Sequence, residues 1–443
     1  MGSLVFSTLL LAAAIAPQTT ADAAPLVAIK AGRAVDPEAG TAASNVVILV
    51  EGATIKAVGP DLAVPPTATV IDLGTATVLP GLFDCHTHLC TNMGHPAGES
   101  VRNLYEALFT TTVSSTNAYR ALVGAANARS MLEAGFTTVR DVGNAGNFAD
   151  TDLRRAIEEG LVPGPTIVNA GRIIAPLGGQ FAAVPPPLFR DVFGAPGHEY
   201  VGVVPADRPG LGEPEYLYAD TVEELRKAVR QNILFGARVI KLVIDDQPYI
   251  YSEDDLRAVR DEATRAGRRV CAHAMTDAGA RNAAAAGLHS IEHGFLIGDE
   301  TIALMKKNGV VLVGTDFSRA VAQATGLPPI FYDRVVERLK RAHKAGLTMA
   351  FGTDIFAQPP GKSRGQLAVD YVDVYEEAGV PAREVLRMMT TNAARLLGLE
   401  KERGRLAAGL AADIIATRGN PLEGAATLKE VVFVMKDGRV VRR

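Results

Sequence analysis

Three cysteines in a chain of 443 residues are too few, and odd in number, for a disulfide framework to organise the fold. Charge of one sign is also missing. Forty-five Lys and Arg stand against 49 Asp and Glu, a net charge of -4, which leaves no global basic field and argues against nucleic acid as a partner. Charged residues make up 21% and hydrophobic ones 48%, so neither whole-chain disorder nor a coiled coil fits. No G-x-G-x-x-G and no Walker A sequence follows an early strand, which removes the dinucleotide and nucleotide-phosphate readings. Repeats of fixed period and low-complexity tracts are absent. The unbroken apolar run Leu4–Ala16 falls short of the ~20 residues that a membrane helix needs, so no stable membrane span is expected.

What is present has a clear order. The Leu4–Ala16 run ends in Ala21-Asp22-Ala23, the pattern of a secretory signal peptide over residues 1–23, although Met1-Gly2-Ser3 carries no basic residue. Cleavage there predicts a periplasmic or secreted protein. Residues 24–77 and 403–443 share a texture of short alternating strands, as in NVVILVEGATIKAVG and VVFVMKDGRVVR. Neither segment buries a face alone, so both ends are expected to build one small discontinuous β-domain. Between them, residues 78–402 alternate strand, turn and helix. The strands are expected at Val78–Asp84, Thr137–Val142, Thr166–Ile173, Val239–Ile244, Val270–Ala274, His289–Gly294, Val310–Thr315 and Leu347–Thr353. Eight strands alternating with helices predict an α/β chain with a (β/α)8 TIM barrel.

A barrel builds its site at the C-terminal ends of its strands, and the histidines collect there. His86 and His88 lie one residue apart on the first strand, so their side chains share a face and can chelate one metal ion. Asp84 shares that face and is read as support for the site. Lys241 interrupts the apolar strand Val239–Ile244. One reading buries its stem and lets the ammonium reach the rim. The other is a neutral amine carboxylated by CO2, N6-carboxylysine, bridging two metals. His273 and His293 end the fifth and sixth strands and supply a second metal pair. Two similar tripeptides, Gly314-Thr-Asp316 and Gly352-Thr-Asp354, compete for the carboxylate role. Asp316 ends the seventh strand and Asp354 the eighth, which adjoins the first when a barrel closes. Asp354 is therefore the expected ligand and proton carrier, with Asp316 at the rim or pocket. Cys85 and Cys271 read as small buried residues.

In this order, H-x-H, Lys, His, His and Asp resemble the amidohydrolase superfamily, from about residue 26 to the C-terminus. Gly404-Arg-Leu-Ala-Ala-Gly-Leu-Ala-Ala-Asp413 and Asn420-Pro-Leu-Glu423 are similar to that family's closing motifs. Arg140-Asp-Val-Gly143 and Ile291-Glu-His-Gly294 are closest to its prolidase-like branch of dipeptidases, carboxypeptidases and ochratoxin-hydrolysing relatives. The resemblance implies that the terminal strands form a β-sandwich, and that two divalent ions, zinc by preference, occupy the barrel mouth. His86, His88 and Asp354 would hold one, His273 and His293 the other, with Lys241 bridging. A metal-bridging hydroxide would attack an amide carbonyl and release a C-terminal amino acid from a dipeptide or N-acyl amino acid, Asp354 carrying the proton. Relatives are commonly homo-oligomers.

Three departures concern the substrate. Met275 stands where relatives carry a hydrogen-bonding residue, Gly178-Gly-Gln180 replaces Gly-Gly-His, and the segment between Lys241 and His273 is short. The long Pro- and Gly-rich excursion 175–220, with Arg190, His198, Tyr200, Tyr216 and Tyr218, is expected to shape the pocket together with Gln180 and Tyr251. A lactonase or phosphotriesterase-like hydrolase suits the same donor set. A mononuclear heterocycle deaminase fits it less well because of Lys241, and a catalytically dead barrel is disfavoured by the full ligand complement.

Overall fold

The computed structural model describes residues 25–91, 93–94, 115–143, 147–177, 216–245, 250–324, 327–358 and 361–443. The expected signal peptide over residues 1–23 lies outside them.

Short segments rich in Val, Ile and Thr make strands from both chain ends, and they meet in one eight-stranded sheet. Leu26–Asp36 runs antiparallel to Thr41–Glu51 and parallel to Thr69–Asp72 and Thr77–Pro80. Thr77–Pro80 then pairs antiparallel with Ile414–Thr417, which leads through Val431–Lys436 to Arg439–Arg442. Opposed residues such as Ile29 and Ile48 bring β-branched side chains together. They belong to a core with Ile55, Ile71, Val78, Ile414, Phe433 and Met435.

The middle of the chain obeys a different rule. Its parallel strands are covered on both faces, and Leu82–Thr87, Phe136–Asp141, Val239–Val243 and Ser290–His293 are buried at every position, polar residues included. Leu82–Thr87, Phe136–Asp141 and Thr166–Asn169 pair in parallel. Val239–Val243, Arg269–Ala274, Ser290–His293 and Val311–Val313 do the same. Backbone bonds join the two sets: Arg238 N to Asn169 O on one side, and Leu312 N to Thr348 O and Cys85 N to Phe351 O on the other. Helices between the strands start at hydroxyl caps, Thr221, Ser252 and Thr276. Several stop at left-handed glycines, Gly287, Gly309 and Gly346. The result is a mixed α/β fold. No helix among the described residues is long and apolar enough to cross a membrane.

Two expected strands are divided. Val78–Asp84 splits at Gly81, so that Thr77–Pro80 joins the terminal sheet and Leu82–Thr87 starts the parallel one. A Cβ at Gly81 would lie 2.1 Å from Thr137 Oγ1, so only glycine lets the chain pass there. Thr166–Ile173 breaks before Ile173 at Gly171, whose φ of +70° turns the chain out of the extended region. The segment after Leu347 carries only one bridge, Leu312 to Met349, in place of a full strand.

Candidate metal centre

Four imidazoles and one carboxylate converge where the parallel strands end. His86 Nδ1 faces Glu292 Oε2 at 2.7 Å, and His88 Nδ1 faces the Gly143 carbonyl at 2.5 Å. With Nδ1–H committed to those acceptors, both Nε2 atoms point inward. They meet at Asp354 Oδ1, 3.5 Å from His86 Nε2 and 3.0 Å from His88 Nε2. His293 Nδ1 lies 3.7 Å from Asp354 Oδ2. Donor atoms of His86, His293 and Asp354 all fall within 4.8 Å of one another, a span that one ion can bridge. The His273 ring centroid is 4.5 Å from that of His293, and His273 Nε2 is 3.8 Å from Asp245 Oδ1. Lys241 is buried on the adjacent strand, in register with Cys271. Among the described residues its Nζ makes no hydrogen bond.

The electrostatics suit a cation. Burial, then the charge of Lys241, lowers the His86 pKa to about 4. Burial and the neighbouring His273, His86 and Lys241 push His293 well below its ordinary value. Both rings are thus neutral donors at pH 7. Burial lowers the Lys241 amine, opposed by Glu292 and Asp354. Burial alone would raise Asp354, but His86, His88 and Lys241 hold it below the usual carboxylate value, so it is an anion. Its side chain is 24% exposed, against 1% for His86, which makes it the member of the cluster most open to an incoming molecule. Neutral imidazoles beside a carboxylate are the donor set that zinc and similar divalent ions take.

Residues behind the donors fix them. Arg140 bonds both Glu292 oxygens, at 2.8 and 2.9 Å, and also the Cys85 carbonyl. Glu292 in turn holds His86. The pattern Arg140-Asp-Val-Gly143 therefore has a physical meaning: Arg140 anchors the carboxylate that orients one ligand, and the Gly143 carbonyl orients the other. Asp84 accepts from His86 N, Thr353 N and Thr353 Oγ1. It ties the His86 strand to the Asp354 segment, and burial pushes its pKa up to about 7. Arg364, also buried, donates to Thr91 O at 2.6 Å and to Ile355 O, joining the chain just beyond His88 to the chain just beyond Asp354.

The expected pocket residues distribute unevenly. Gln180, Arg190, His198 and Tyr200 lie outside the described residues. Tyr251 is buried, its hydroxyl donating to Ala219 O. Met275 gives its backbone N–H to the Asp245 carboxylate, which also takes Thr276 N and Oγ1. Asp316 is a correction. It is not at a rim but 1% exposed, paired with Arg338 and 3.1 Å from the Tyr375 hydroxyl. Cys85 and Cys271 are buried as expected. Local sequence does not give away Glu292, Asp245 or Thr315, although Glu292 lies in Ile291-Glu-His-Gly294 and Thr315 in Gly314-Thr-Asp316.

A model of the amidohydrolase family matches residues 77–441. The chain belongs to the amidohydrolase family. Ochratoxinase of Aspergillus niger is 29% identical over 453 aligned residues, covering 95% of this chain and 88% of that protein. Imidazolonepropionase of Paracidovorax citrulli is 30% identical over 429 residues, 89% of this chain and 91% of the other. The crystal structure of a prolidase complexed with N-methylphosphonate-L-proline superimposes with a TM-score of 0.77 at 28% identity, over 94% of this chain and 100% of that one. Within the amidohydrolase family the ochratoxinase and prolidase likenesses match the prolidase-like branch, and the chain is a hydrolase acting on amide bonds.

Proposed function

We propose that this amidohydrolase hydrolyses the amide of a dipeptide or N-acyl amino acid and releases a C-terminal amino acid, using two divalent ions, zinc by preference. The supporting observation is the convergence of the His86 and His88 Nε2 atoms on Asp354, with His293 alongside and Lys241 buried beside them. In this reading the parallel strands close as a (β/α)8 barrel, and the terminal sheet belongs to a β-sandwich domain.

His86, His88 and Asp354 would hold one ion, and His273 and His293 the other. Lys241, its amine made easier to deprotonate by burial, would add CO2 at Nζ with loss of a proton, and the resulting carbamate would supply oxygen donors to the site. When bound, such ions polarise the amide carbonyl and lower the pKa of water to about 7. Asp354, ionised and partly exposed, accepts the proton of the attacking water at its carboxylate and returns it to the leaving amine nitrogen, acting as base and then as acid. Glu292 and the Gly143 carbonyl keep His86 and His88 in one tautomer and orientation throughout.

The test is a zinc- and bicarbonate-loaded sample incubated with pooled dipeptides and N-acyl amino acids, with free amino acids read by mass spectrometry. Release of one residue class supports the proposal and names the preferred side chain. Silence with bound metal confirmed would shift the assignment to lactones, phosphotriesters or heterocycles, the last being the chemistry nearest to the imidazolonepropionase likeness.

A further inference from the structure

We infer that Arg338 is a positioning residue for His293, acting through Thr315; this rests on reading the donor cluster as a metal centre. His293 and Thr315 both adopt left-handed backbone, φ +67° and +52°. For a β-branched residue such as Thr315 that is a costly conformation, kept only where surrounding structure enforces it. A left-handed residue at a strand end turns its carbonyl out of the ladder, and a buried carbonyl then needs another donor.

Arg338 supplies it from helix Pro329–Ala345. One guanidinium nitrogen donates to His293 O and also to Gly314 O, the latter at 3.1 Å. The other donates to Asp316 Oδ1, while the Tyr375 hydroxyl holds the second Asp316 oxygen. The guanidinium carbon lies 5.2 Å from the Phe295 ring centre. Thr315, fixed by the bond to the preceding carbonyl, sets its Oγ1 2.9 Å from His293 Nδ1. One buried side chain therefore grips the backbone of a ligand and the backbone of the residue that aims its ring.

Stability alone is a poor account of this arrangement, because buried ion pairs are often replaceable by apolar residues without loss. The planar fork matters instead. It reaches two carbonyls and a carboxylate together, whereas a lysine ammonium offers a point charge.

The experiment measures zinc affinity of the full chain by competition with a chromophoric chelator, and the visible d–d spectrum of the cobalt-loaded protein. Arg338→Lys and Arg338→Met should weaken binding of the less tightly held ion by about 10- to 100-fold and shift the cobalt bands. Thr315→Val should move in the same direction, and Thr315→Ser, which keeps the hydroxyl, should stay near wild type. A folded Arg338 variant with wild-type affinity and spectrum, whatever its melting temperature, overturns the inference. If neither Arg338 variant folds, wild-type affinity in Thr315→Val overturns it. None of these readouts needs a substrate. Failure of the wild type to bind any divalent ion would sink the metal-centre reading, while normal wild-type binding with unaffected variants would sink only the role of Arg338.

Discussion

Replacing Glu292 by Gln keeps the shape of a buried side chain and removes its charge. Burial alone would raise the Glu292 pKa, but Arg140 and His86 outweigh it and hold the carboxyl at about 2 against an ordinary 4.5. A depression of that size stabilises the folded chain by roughly 3 kcal/mol at neutral pH. Breaking a buried ion pair independently suggests about 3–5 kcal/mol, because Arg140 would be left without its counter-charge. The amide can still serve His86 if its NH2 turns towards Ser290, whose hydroxyl lies 2.5 Å from Oε1 and can reverse to accept. The loss therefore falls on Arg140 first. Urea unfolding of the metal-free protein at pH 7 should show a deficit of about 3 kcal/mol. The sign with pH follows from a depressed carboxyl: its contribution is complete above about pH 4.5 and is lost as pH falls through 2. The gap between wild type and Glu292→Gln should accordingly narrow between pH 5 and pH 2. A deficit below about 1 kcal/mol at pH 7, or one unchanged at pH 2.5, would refute the argument.

Lys241→Ala should lose most bound metal, measured by plasma mass spectrometry after dialysis, and activity with it; full metal and full activity would remove the bridging role. Asp354→Asn should lower kcat by about 10²–10⁴-fold with circular dichroism unchanged, since the proton carrier is gone; a loss under tenfold would contradict that assignment. Gly352→Ala places a Cβ 2.5 Å from Val313 Cγ1 and 2.8 Å from His86 Cβ, so thermal melts should register roughly 1–3 kcal/mol of overpacking. The same variant should bind zinc more weakly, and unaltered affinity would show that Val313 alone yields.

Much of the fold was legible because turn-bounded segments rich in β-branched residues mark strands at the chain ends, and strand–helix alternation marks the middle. What escaped was where one strand stops and another begins. Val78-Leu-Pro-Gly-Leu-Phe-Asp84 reads as one run, and only the nearness of Thr137 to Gly81 divides it. Gly171 breaks the expected strand Thr166–Ile173 for a similar reason, with Phe148 and Asn232 crowding it. These are facts about distant neighbours, so local periodicity carries no trace of them.

The donors were legible for a different reason: imidazoles at strand ends are few and their residue type announces their chemistry. The supporting groups announce less. Gly314-Thr-Asp316 and Gly352-Thr-Asp354 are identical tripeptides, yet one aspartate faces His88 and the other is sealed against Arg338. Strand order separates them but leaves the task of Asp316 open. The missing clue lay in helix Pro329–Ala345, whose buried positions include Val335, Arg338, Leu339 and Ala342, a stripe at helical spacing. Arg338 sits within that apolar stripe, where a charge needs a partner. An arginine on the core face of a helix predicts a buried carboxylate nearby, and the segment after strand Val311–Val313 offers Asp316. The rule that finds the core thus also finds its exceptions, and here the exception lies directly behind a ligand.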